Sequence, residues 1–113
     1  MALSKEIVLD NGIVLNYHRV VSINKITNFK NDIEVASYIN EEQRKKEKIY
    51  QEVQIKNASG EELTEEEQKI LDKGINVIVK TSVENTKYDE SINIENVYEY
   101  LKTLSKFKDA IDV

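Results

Sequence analysis

Residues 7–25 read IVLDNGIVLNYHRVVSINK, and the register of this stretch decides the fold. Ile7 and Leu9 alternate, Asp10-Asn11-Gly12 interrupts, and Ile13, Leu15 and Tyr17 alternate again. A two-residue Asn-Gly turn would pair Asp10 with Ile13 and place Ile7 and Leu9 on the face of Val14, Asn16 and His18. A three-residue loop pairs Leu9 with Ile13 and Ile7 with Leu15, so both apolar sets share one face. The second register is preferred, with Asp10 and Asn11 in a type I turn and Gly12 as a left-handed bulge.

This register places His18, the only histidine, on a polar face with Asn16, Ser22 and Asn24. The expectation is a solvated or interface strand residue, replaceable by alanine without loss of the fold. A metal or general-base role lacks a second ligand. Arg19 shares the parity of Leu15, Tyr17, Val21 and Ile23. Either the strand bulges there and turns Arg19 outward, or the guanidinium meets a carboxylate at a subunit interface.

Further along, Ile33, Val35, Ser37 and Ile39 alternate with Glu34, Ala36 and Tyr38 as a third strand. Composition then turns charge-rich at INEEQRKKEKIYQEVQ. Asn40 can cap a helix with Gln43 in the capping-box position, and Glu41–Lys45 and Glu42–Lys46 are favourable pairs, so a helix is expected over 41–50. Beyond it, Val53 and Ile55 leave helix and strand both open. NASGEE is a loop. Thr64 and Glu67 frame a second helix that Gly74 ends. Alternation of Ile75, Val77, Val79, Thr81 and Val83 predicts a strand over 75–84. KYDESIN is a turn, where Asp89 and Glu90 beside Tyr88 either bind an ion or simply precede a helix. Asn93 opens a helix over 93–110, with Ile94, Val97, Tyr98, Leu101, Leu104 and Ile111 at helical spacing and Phe107 beside them.

The predicted fold is therefore α+β. An antiparallel sheet over 5–27, 32–39 and 75–84 carries the C-terminal amphipathic helix on one face, with a polar, partly helical excursion at 41–74. With 113 residues, a single domain is expected, its core formed by 4–40 and 75–113.

Composition narrows the function. Sixteen basic against twenty-one acidic residues give a net charge of −5, which argues against a nucleic-acid partner because phosphate binding needs a basic footprint. The basic run at 44–48 is flanked by acids and reads as a solvated helix face. Cysteine is absent, which removes disulfides, thiolate catalysis and cysteine zinc sites. No apolar run reaches the length of a membrane span, and residues 1–10 lack the pattern of a secretion signal. No phosphate loop, nucleophile elbow or calcium loop appears. No catalytic, metal or cofactor-binding residue is expected, and no cofactor. Glu65, Glu66 and Glu67 read as a solvated face. The interface candidates are His18, Arg19, Tyr38 and Tyr88, since tyrosine and arginine suit half-buried contact sites.

Three strings together, LDNGIVLNYHRVVSINKIT, IEVASYINEEQRKKEK and KYDESINIENVYEYLKTLSKFKDAIDV, resemble a family of small phage and prophage proteins of Gram-positive bacteria such as clostridia. The likeness covers roughly 4–48 and 75–113. It implies a non-enzymatic virion protein of the tail or baseplate, made in the bacterial cytoplasm. Its implied partners are copies of itself or neighbouring tail proteins. It assigns no role to any residue. The competing expectation is a small acidic inhibitor or regulator from a mobile element that binds a host protein.

Overall fold

A computed structural model describes residues 1–113. The chain divides into two compact units, Met1–Ile39 with Ile78–Val113, and Asn40–Val77.

The first unit is an antiparallel sheet with a helix on it. Its strands are β1 (Leu3–Val8), β2 (Val14–Ile26), β3 (Lys30–Tyr38), β4 (Lys80–Lys87) and β5 (Ile111–Asp112), in the order β4-β3-β2-β1-β5. The β1–β2 loop is the three-residue form. Ile7 pairs with Leu15, Leu9 N donates to Ile13 O at 2.8 Å and Gly12 N donates to Leu9 O at 2.8 Å. Gly12 has φ 87°, the left-handed backbone that a side chain opposes. The β2–β3 turn gives that role to Asn28 (φ 59°), since asparagine tolerates it better than most residues.

Two bulges shape the sheet. One lies in β1 between Ser4 and Ile7. The other lies in β2 between Val20 and Ser22, opposite Val35 and Glu34. An extra residue in one strand reverses the facing of everything beyond it. Val20 therefore shares a face with Ile23, although their spacing is odd, while Leu15, Tyr17 and Arg19 lie on the other face. Val20 N, at the bulge, donates to Tyr98 Oη at 2.8 Å, and Tyr98 Oη donates to Met1 O at 3.0 Å.

Tyr98 comes from α1 (Ile94–Thr103), which a reciprocal Asn93–Asn96 box caps. Its Val97, Tyr98 and Leu101 pack with Leu3, Val20, Ile33 and Val35 of the sheet to form the core. The helix ends earlier than the 93–110 that its apolar spacing predicts. Thr103 Oγ1 donates to Tyr100 O, Leu104 is extended, and a short 3-10 helix (Ser105–Phe107) follows. Phe107 is driven into the core and Asp109 takes a left-handed φ of 68°. This reverses the chain, so Ile111, expected on the helix stripe, is exposed in β5 and pairs with Ser4. Strand β4 is also displaced from the expected 75–84. Its ladder with β3 runs from Ser37↔Lys80 to Lys30↔Lys87, so Ile75 and Val77 have no strand opposite them despite their alternation.

The second unit is a helical hairpin of α2 (Glu41–Ala58) and α3 (Glu65–Lys73), both of which precede α1 in the chain. Asn40 Oδ1 caps α2 through Gln43 N at 3.2 Å. The helix runs eight residues beyond the expected position 50; Val53 is buried on it, and Gly60 (φ 79°) takes the left-handed backbone just past its end. The capping box of α3, Thr64 with Glu67, is present as read from the sequence, and Gly74 caps its end. Lys56 Nζ meets Glu67 Oε1 at 2.9 Å, which holds the end of α2 to the start of α3. No helix is long and apolar enough to cross a membrane.

Two substitutions test the core. Leu101 is fully buried, and Leu101→Ala is expected to cost about 2–5 kcal/mol in urea unfolding. Tyr98→Phe keeps the ring but strips a partner from Val20 N and Met1 O. It is expected to cost about 1–3 kcal/mol by the same measurement.

Candidate functional site

His18 is the residue on which any chemistry would centre, and the structure corrects its expected place. It is 1% exposed, not solvated. The bulge in β2 explains the difference: it sets His18 and Val20 on the face of Ile23, where α1 and Phe107 pack, instead of with Ser22 and Asn24. The Phe107 ring stands edge-on to the imidazole at 5.3 Å.

Both ring nitrogens are engaged. Nε2 lies 2.8 Å from Lys5 O and Nδ1 lies 2.7 Å from Ser37 Oγ. A carbonyl only accepts, so Nε2 carries the proton and Ser37 donates to Nδ1. Burial pushes the imidazole below its ordinary pKa, and the bond to Lys5 O partly opposes this. The ring is neutral in the folded protein at pH 7. A hydroxyl donating to an imidazole is the geometry of an activated nucleophile, but Ser37 is itself buried, at 8% exposure. In this fold the trio ties β1, β2 and β3 together through side chains. No group of three or more His, Asp or Glu side chains is placed to hold a metal ion.

The other interface candidates are scattered. Tyr38 is fully buried, against the expectation of a contact residue; its ring meets Tyr17 edge-on at 5.7 Å. Arg19 is half-buried opposite Ala36. The bulge expected at Arg19 occurs just beyond it, and Arg19 keeps the face of Tyr17 and Leu15. Tyr88 is half-buried and lines a shallow hollow with Lys87, Ile92 and Tyr100. Beside it, Asp89 Oδ1 accepts from Ser91 N at 2.9 Å and from Ser91 Oγ at 2.7 Å, which holds its carboxyl below the usual range. Asn31 and Lys25 bind the carbonyls of Asp89 and Glu90. Asp89 therefore shapes the turn before α1, the simpler of its two readings.

One surface feature was not singled out in the sequence. Between α2 and α3, a cleft of about 250 Å³ is lined by Lys46, Ile49, Tyr50, Ile70, Lys73 and Ile75. Ile49 is 50% exposed. The i,i+3 spacing of Lys46 and Ile49 could have marked one side of it, but the other side depends on how the hairpin closes. A second feature is the outer edge of β4, the last strand of the sheet on that side.

No family model, curated protein or solved structure matches the chain.

The buried imidazole makes stability depend on pH. The unfolded chain takes up a proton near pH 6.5, whereas the folded chain does so only at lower pH. Stability is therefore full above about pH 6.5 and falls as the pH drops through the lowered folded pKa. His18→Gln, which carries a donor and an acceptor but does not titrate, is expected to show a smaller loss in urea midpoint between pH 7.5 and pH 5. His18→Ala, expected from the sequence to be harmless, is instead expected to cost about 2–4 kcal/mol, because it leaves Ser37 unpaired and opens a cavity.

Proposed function

We propose that this is a non-enzymatic assembly protein that acts through protein–protein contacts, a virion component of the tail or baseplate kind. Its partners on this reading are neighbouring virion proteins and copies of itself. The observation that carries the contact reading is the apolar cleft of the helical unit. In a chain that is 33% charged, Ile49, Tyr50, Ile70 and Ile75 gather at one concave place with lysines at both sides. Exposed apolar side chains grouped in a concavity with a charged rim suit a protein partner. The virion assignment rests on the sequence resemblance, which supplies the kind of partner. The inhibitor reading has the exposed acidic stretch of Glu61, Glu62, Glu65 and Glu66 in its favour.

Mass spectrometry of purified phage particles from the encoding strain is expected to find the chain in stoichiometric amount. Ile49→Glu is expected to lower its incorporation about tenfold, as for loss of a buried contact residue, with thermal melting unchanged. Absence from particles, with recovery in a complex with a host enzyme, would favour the inhibitor instead.

A further inference from the structure

The two edges of the sheet are finished differently. On one side, β1 carries a bulge and is partly covered by the short β5. Bulges and short strands are the usual protection against unwanted pairing. On the other side, β4 runs from Lys80 to Lys87 with a regular register to β3 and no bulge. Proline is absent from the chain, and the lysines stand only at the ends of the strand. Its middle, Thr81–Thr86, has one charge, Glu84, and an apolar residue, Val83, that is 56% exposed. Such an edge can accept another strand.

The sequence of β4 says which strand fits. Two copies related by a two-fold axis perpendicular to the sheet keep the same face upward, so the pairing must be centred on a residue. Centred on Glu84, it sets two carboxylates directly opposite each other. Centred on Ser82 or Asn85, it shortens the overlap. Centred on Val83, it covers 80–86 of each strand and puts Val83 against Val83. Ser82 then lies opposite Glu84 and Thr81 opposite Asn85. Lys80 lies opposite Thr86 and hence diagonal to Glu84, within reach of a long side chain, and symmetry repeats the contact. Glu84 is held in place by Lys106 of the same chain. The strand is complementary to itself in apolar contact and in charge.

We infer that β4 pairs with β4 of a second copy, antiparallel and centred on Val83, to give a two-fold dimer with one continuous sheet. This rests on the reading that the chain works by protein contact and adds to it the surface, the partner and the register. A contact made by one strand is small, so the dimer is weak and concentration-dependent.

Because the chain has no cysteine, the register can be tested directly. Single Thr81→Cys, Val83→Cys and Asn85→Cys variants of the full chain are oxidised at equal concentration. Val83→Cys is expected to cross-link fastest, since opposite residues have Cα atoms about 4.5–5.5 Å apart, within disulfide range. Copies of position 81, or of position 85, lie about 13 Å apart in this register and are expected to stay reduced. In sedimentation, the native chain is expected to show a monomer–dimer equilibrium that Val83→Lys weakens by about tenfold or more, since symmetry sets the two new charges opposite each other. Circular dichroism melting checks that the variant remains folded. A native chain monomeric at millimolar concentration, equal cross-linking at all three positions, or undiminished dimerisation of folded Val83→Lys would overturn the inference. A monomeric chain that still enters particles would overturn it and leave the contact reading standing.

Discussion

The hydrogen bond from Val20 N to Tyr98 Oη, which joins residues 78 positions apart, is the constraint on which the rest of the first unit depends. The bulge in β2 interrupts the regular ladder and would leave a backbone donor in the interior. A buried donor without a partner costs about 1–3 kcal/mol, a sizeable share of a small domain's total stability. Tyr98 Oη accepts from that donor and itself donates to Met1 O. The position of α1 is thereby fixed to one point on one strand, and Val97 and Leu101 are brought over the sheet.

The same bulge explains what the sequence disclosed and what it hid. Local alternation and turn chemistry were enough to read the first hairpin, including its three-residue loop and Gly12. The caps at Asn40, Thr64 and Asn93 were equally legible, because a cap is written within four residues. Reading β2 as one uninterrupted period placed His18 outside. The inserted residue, Val21, sits three positions further on, and nothing in YHRVVSI distinguishes a bulged strand from a regular one. Likewise, Ile111 continues the helical spacing of Ile94 to Leu101, and only the pairing with Ser4, more than a hundred residues away, makes it a strand residue. Sequence periodicity describes what a segment could bury; the tertiary partner decides what it does bury.

Of the candidate surfaces, little was legible. Arg19, Tyr38 and Tyr88 were chosen for residue type and parity, and they lie in different surroundings. The cleft of the helical unit requires two helices to meet, and the exposure of Val83 requires β4 to be the outermost strand. Both are properties of topology. Scattered exposed apolar residues are ordinary, and it is the grouping of Ile49 with Ile70 and Ile75 in a hollow, and the place of Val83 on an open edge strand, that set these two apart.

The placement of β5 has a consequence for the time course of folding. Ala2 exchanges two backbone bonds with Val113, at 3.1 and 3.0 Å, so the pairing of β1 with β5 closes a loop of more than a hundred residues. Closing a long loop costs entropy before any contact repays it. The β1–β2 hairpin and both helices of the second unit are local and can form while the chain is still being synthesised. The sheet cannot close, nor Val20 meet Tyr98, until residues 94–113 have been made and have emerged from the ribosome. Until then β1 is an open edge as well as β4, so the nascent chain carries two edges open to association where the folded unit carries the edge of β4 and the short β5.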